Sequence, residues 1–136
     1  MRREIVIDGG RFDCLDGFFD EVERVFTKDL PWRIGRNLNA FNDVLRGGFG
    51  LHGCREPIAI KWLHFEKSQK DLGYPATAEF YEEVLKQCRP THVEIMRKKY
   101  EDAVNQTGQT LLDTIIEIIL DTDNSGHDCT FEPVDL

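Results

Sequence analysis

Three carboxylates, Asp113, Glu117 and Asp121, recur at i, i+4 and i+8 near the end of the chain. On a helix that spacing sets them along one edge, where like charges four residues apart cost about 0.2–0.5 kcal/mol per pair. No base relieves them: residues 109–136 hold 7 acids and neither lysine nor arginine. Two readings stay open, an ordinary solvated face and a surface that meets a cation. Directly beyond, Asp121-Thr122-Asp123-Asn124-Ser125-Gly126 with Glu132 further on has the oxygen donors, the turn glycine and the final glutamate of an EF-hand calcium loop. Against calcium, Asp128 stands where that loop wants an apolar residue, and Pro133 stands where an exiting helix would begin. The plainer reading of 121–132 is a helix-to-strand turn.

Histidine and cysteine recur as His52-Gly53-Cys54, as Cys88 with His92, and as His127-Asp128-Cys129. These are not the closely paired ligands of a zinc site, so no metal is expected. The 4 cysteines form no Cys-x-x-Cys and read as reduced thiols. There is no P-loop, dinucleotide-binding glycine motif, nucleophile elbow or His-Glu-x-x-His helix, so the chain is expected to be neither an enzyme nor a cofactor protein.

The elements that would position these residues follow from periodicity. A strand is expected over 4–8, where Ile5, Val6 and Ile7 precede Asp8-Gly9-Gly10. A helix from Asp16, as its cap, to about Lys28 places Phe18, Val22, Val25 and Phe26 on the core side. A second helix over 37–46 sets Leu38, Phe41 and Leu45 in one stripe and Asn39, Asn42, Asp43 and Arg46 on the neighbouring polar face. The glycine-rich stretch 47–53 reads as a loop. A strand over 58–62 and a helix over 63–72 come next. Helices over 77–88 and 91–104 follow, the latter opened by a Thr91-x-x-Glu94 capping box. Residues 110–120 form the most apolar helix, and 129–132 a last strand. Strands separated by helices predict an α/β domain with a small parallel sheet.

The length, 136 residues, suits one domain, and 40% hydrophobic content excludes a disordered chain. The net charge of -8 argues against direct nucleic-acid binding. It is local: residues 1–72 balance 12 acids with 12 bases, residues 73–108 hold 6 acids and 5 bases, and the rest of the excess lies beyond 108. Such a field steers a basic partner toward the last helix. No apolar run is long enough for a membrane span, and no apolar leader opens the chain, so a cytoplasmic location is expected.

The run Leu30-Pro31-Trp32-Arg33-Ile34-Gly35-Arg36-Asn37-Leu38-Asn39-Ala40-Phe41-Asn42-Asp43-Val44-Leu45 resembles the hallmark of the barstar family: Leu-Pro, two often aromatic residues, Gly-x-Asn-Leu-(Asp or Asn)-Ala, and a nearly fixed Asp. Ile5-Val6-Ile7-Asp8-Gly9 is similar to the family's first strand and turn. The run from Ile60-Lys61-Trp62 to Phe65-Glu66-Lys67-Ser68 is similar to its middle strand and following helix. The last apolar helix, Gly126 and the 128–131 strand resemble its end. The resemblance covers 4–72 and 109–132, and leaves 73–108 as an inserted helical hairpin in one domain over 1–136.

The resemblance implies a three-stranded parallel sheet with helices. It also implies a small cytoplasmic inhibitor of nucleases, many members being immunity proteins against nuclease toxins. The second helix and its preceding loop would plug the basic cleft of the enzyme, with carboxylates in place of phosphates. Asp43 matches the family's central inhibitory aspartate, and Asp121 matches a second acid near the end of the last helix. Trp32, Arg33, Asn39, Asn42 and Gly47 match other contact positions. Arg33 replaces an aromatic, Asn39 an acid and Asn42 a large aromatic, while Arg36 adds a positive charge beside the plug. The acidity then shifts to the last helix, where Glu117 and Asp113 accompany Asp121. The expected partner is a cognate nuclease toxin. The alternative is a calcium-binding or other interaction module on the 121–132 loop.

Overall fold

A computed structural model describes residues 3–27, 37–46, 56–87, 89–121 and 128–135. The chain runs β1 (Arg3–Asp8), a 3-10 turn (Gly9–Arg11), α1 (Leu15–Phe26), α2 (Leu38–Arg46), β2 (Ile58–Leu63), α3 (Phe65–Asp71) and α4 (Tyr74–Gln87). A second 3-10 turn (Pro90–His92), α5 (Val93–Val104), α6 (Leu111–Leu120) and β3 (Cys129–Val134) complete it. The three strands form one sheet in the order β1-β2-β3, parallel throughout, as the spacing of strands and helices predicts. Ile5 pairs with Ile60, Ile60 with Phe131, and Trp62 with Pro133. Pro133 is tolerated because β3 is an edge strand, where a missing N–H breaks no interior ladder. No helix among the described residues is long and apolar enough to cross a membrane.

The sheet has one covered face. Ile58, Ile60 and Trp62 alternate inward along β2 and are fully buried, with Ile5 and Ile7 of β1 beside them. The opposite face carries Val6, Lys61 and Glu132, with Lys61 Nζ 3.9 Å from Glu4. Trp62 is the centre of the core. Phe18 of α1 stacks on it at 5.6 Å, and Phe12, Phe65 and Phe131 meet it edge-on at 6.2, 6.5 and 6.2 Å. Phe18 in turn touches Phe41 of α2 at 5.2 Å. The indole N–H donates to Ser68 Oγ at 2.9 Å, deep in the core. Edge-on ring pairs contribute about 0.5–1.5 kcal/mol each beyond area burial, so this cluster ties two strands and three helices together.

Several helix starts differ from the sequence reading. Cys14, not Asp16, caps α1: its Sγ accepts from Gly17 N at 3.4 Å, and Asp16 falls inside the first turn, where its charge favours the helix dipole. The Thr91-x-x-Glu94 box does not form. Thr91 lies in the 3-10 turn opened by Pro90, and α5 starts at Val93 with no side-chain cap, because an N-cap needs extended backbone that this turn denies Thr91. The reciprocal box forms at α6 instead, where Thr110 Oγ1 accepts from Asp113 N and the Asp113 carboxylate accepts from Thr110 N. Buried Glu21 is a further departure. It turns inward beside Val22, accepts from Asp8 N at 2.8 Å and takes two hydrogen bonds from Arg24, fixing α1 to the end of β1.

Residues 73–108 form the expected helical pair. α4 begins at Tyr74, earlier than the expected 77, because Pro75 fits a first turn and Thr77 is drawn inward. Buried Thr77 donates to Gly73 O at 2.7 Å and accepts from Leu111 N at 2.8 Å. Leu112 N donates to Leu72 O and Tyr74 Oη to Gly108 O, so the chain enters and leaves the hairpin at one stitched stem. Gly108 makes the exit possible with φ +76°, a conformation costly for other residues. Above the stem, α5 packs on α4 and buries only Ala103.

Removing the Trp62 partner tests the core. Ser68→Ala leaves a buried indole N–H unpaired and should lower unfolding free energy by about 2 kcal/mol. Urea denaturation reads this as a lower midpoint at unchanged slope.

Candidate functional site

The two helices that carry the candidate acids lie side by side, since α2 packs on α6. α2 is held by its inner face. Phe41, Val44 and Leu45 are buried, while Asn37 Oδ1 accepts from Ala40 N at 2.8 Å to cap the start. Its outer face then has no freedom of choice. Asn39 and Asp43 are exposed at i and i+4, with Arg46 exposed at the end. Asn42 is half-buried, and its Oδ1 is buried without a hydrogen-bond partner. An unpaired amide oxygen at the edge of a polar face is a position where a partner's donor would recover lost hydrogen-bond energy.

α6 presents the rest. Leu111, Leu112, Ile115 and Ile119 are buried, which turns Asp113 and Glu117 outward. The three carboxylates of the ladder are not equivalent. Asp113 is occupied by the capping box, and Glu117 accepts from Gln109 Nε2 at 2.6 Å. Asp121 is the C-cap, its N–H donating to Ile118 O. The internal donors offset part of the like-charge cost and place Asp113 at the start of the helix, the far end from Asp121. Asp113 thus serves the fold while remaining exposed. Leu120 breaks the pattern of an apolar helix in a core: it is 52% exposed, next to Asp121 on the outer face.

Asn39, Asn42, Asp43, Glu117 and Asp121 therefore belong to two neighbouring helices. Trp32, Arg33, Arg36 and Gly47 lie outside the described residues, as do Asp123 and Ser125 of the calcium alternative. The other members of that loop are placed badly for an EF-hand. Glu132 sits inside β3 in register with Lys61, and the chain leaves the loop as a strand, not a helix. An EF-hand sets its bidentate glutamate at the start of an exiting helix, so the strand position of Glu132 departs from that pattern. Among the described residues no group of three histidine, cysteine, aspartate or glutamate side chains is arranged to hold a metal. Cys14 is exposed and Cys129 buried.

Periodicity found the faces but not the side-chain roles. The Cys14 cap was invisible because thiols are weak acceptors. The α6 box was legible in principle as Thr110-x-x-Asp113, with aspartate standing for the usual glutamate.

One family model, described as Barstar (barnase inhibitor), matches residues 2–99. No curated protein matches the chain. The match and the resemblance read from the sequence agree over 4–72. The match continues through α4 into α5 and stops short of α6 and β3.

Two outcomes follow from this geometry. Thr110→Ala should cost about 1 kcal/mol in urea denaturation by removing the Oγ1 that accepts from Asp113 N–H. Titrating calcium into the chain in a calorimeter should release no heat of binding.

Proposed function

The chain belongs to the barstar family, and from that premise we propose that it is a cytoplasmic immunity protein that binds a cationic nuclease toxin and covers its active site. The family supports the coarser statement, a ribonuclease inhibitor that works by binding. The observation that supports the finer one is Asp43, exposed in the middle of a helix whose inner face is locked into the core, beside a second helix that carries Glu117 and Asp121.

The mechanism is occupation. A nuclease cleft holds phosphates with lysine and arginine, so carboxylates on a rigid helix can take the phosphate positions. Rigidity matters because side chains that are already ordered lose little entropy on docking. Asp43 enters the cleft. Asn39 and Asn42 flank it as neutral hydrogen-bonding groups, and Trp32, Arg33, Arg36 and Gly47 complete the plug. Glu117 and Asp121 meet basic residues at its margin. The chain performs no chemistry and needs no cofactor. Residues 1–136 act as one domain with 73–108 inserted, a division supported by the stitched stem of the hairpin.

Asp43→Ala should weaken binding by more than about 2 kcal/mol, a scale for which barnase and barstar are themselves the standard example. Association should slow as salt rises, since it is steered by exposed charge. The test immobilises wild type and an Asp43→Ala, Asp121→Ala double variant, passes source-cell lysate over each, and assays nuclease activity after release in high salt. Wild type should retain a nuclease that is silent until released, and the double variant should not. Equal retention by both would place the interface elsewhere. Retained nuclease that is already active on the column would contradict inhibition.

A further inference from the structure

Polar groups inside the fold are met with care. Buried Glu21, Ser68 and Thr77 are each hydrogen-bonded. A groove of about 380 Å³ lies beside Glu117, between α4, α5 and α6, and its acids have partners too. Lys98 Nζ is 3.6 Å from Asp102, and Gln109 Nε2 donates to Glu117. Against that background Asn42 Oδ1 stands apart: among the described residues it is a buried side-chain oxygen with no hydrogen-bond partner. Native folds keep few such atoms, and each lowers stability relative to an apolar group of similar shape.

Asn42 lies on the seam of α2. Leu38 and Leu45, at i−4 and i+3, flank it on the core side, while Asn39 and Arg46, at i−3 and i+4, flank it on the solvent side. Leu38 packs against the core and Leu45 is buried, so neither offers a side-chain donor. An apolar residue would suit that side of the seam better. An amide held where local rules favour an apolar group marks a position set by something other than the fold. The next residue is Asp43, exposed at the centre of the proposed interface, which supplies that other demand.

We propose that Asn42 has two positions and helps α2 choose its partner. In the free chain Oδ1 is turned in and unpaired. In the complex the side chain turns about its two torsions, and Oδ1 accepts an N–H from a lysine or arginine of the nuclease cleft. Side-chain turns of this kind are common at interfaces whose backbones stay fixed. The inference rests on the inhibitor reading and deepens it, since Asn42 then selects a nuclease that places a donor beside the group that meets Asp43. A partner with a carboxylate there would be disfavoured.

Valine has nearly the helix propensity of asparagine, so Asn42→Val reports the amide and not the helix. In the free chain it should raise the urea midpoint by about 0.5 M at unchanged slope, while Asn39→Val, on the solvent side, should not. On the nuclease released from the wild-type column, Asn42→Val should bind about tenfold more weakly, the scale of one hydrogen bond to a charged group. Asn42→Gln, which keeps the amide, should recover most of that loss. A midpoint that stays unchanged, or rises equally in both valine variants, would overturn the proposal. So would a raised midpoint with undiminished binding, which would leave Oδ1 as a packing fault with no part in docking. Equal loss in Asn42→Val and Asn42→Gln would overturn it as well, by making shape the cause. The urea measurement contains no nuclease, so its failure is separate from failure of the inhibitor reading. In the binding assay Asp43→Ala separates the two, since undiminished binding by Asn42→Val alongside binding lost by Asp43→Ala would remove the Asn42 proposal and keep the inhibitor.

Discussion

A tryptophan buried on the middle strand of a three-stranded sheet sets the terms for the rest of the molecule. Trp62 is 0% exposed, and each surrounding element offers it a ring: Phe12 before α1, Phe18 in α1, Phe65 in α3 and Phe131 in β3. A side chain that large must be surrounded on every side and must also satisfy its N–H. Ser68 meets the second demand, which fixes α3 against β2. Phe18 passes the packing on to Phe41, which sets the inner face of α2. Once that face is fixed, the outward direction of Asp43 is fixed with it. Core and candidate interface are therefore two faces of one packing solution.

The last helix shows how an acidic surface is made tolerable. Seven acids without a base would disfavour any helix among them by mutual repulsion. α6 uses Asp113 to close its own N-terminus, where a negative charge is favoured, and gives Glu117 a neutral donor in Gln109. Four buried leucine and isoleucine side chains supply the remaining stabilisation on the opposite face. The charge is held on the surface by local devices, and the last turn of the helix itself contains no basic residue.

Much of this was legible in the sequence. A β-branched run before a turn marked β1, alternating apolar residues marked β2, and helical stripes marked α1, α2 and α6, because one-sided burial leaves a periodic trace. The parallel sheet followed from the alternation of element types. The expectation for Asp43 rests on the run from Leu30 to Leu45, since no periodicity would single it out from other helical aspartates. Besides the Cys14 cap, three things were not legible. Glu21 reads as a surface residue, and only the meeting of α1 with the end of β1 shows why it is buried. Thr91 has the letters of a cap, but a preceding proline changed its backbone. The groove beside Glu117 joins residues of three helices, a relation that no single stretch of sequence contains.

The central claim is that the chain inhibits by standing where nucleic acid would stand. The most direct measurement is competition on the captured nuclease between this chain and an uncleavable oligonucleotide, followed by fluorescence anisotropy of the labelled oligonucleotide. Mutual exclusion, with the oligonucleotide fully displaced as the chain saturates the enzyme, is the predicted result. A ternary complex, with chain and oligonucleotide bound to the nuclease together, would contradict it.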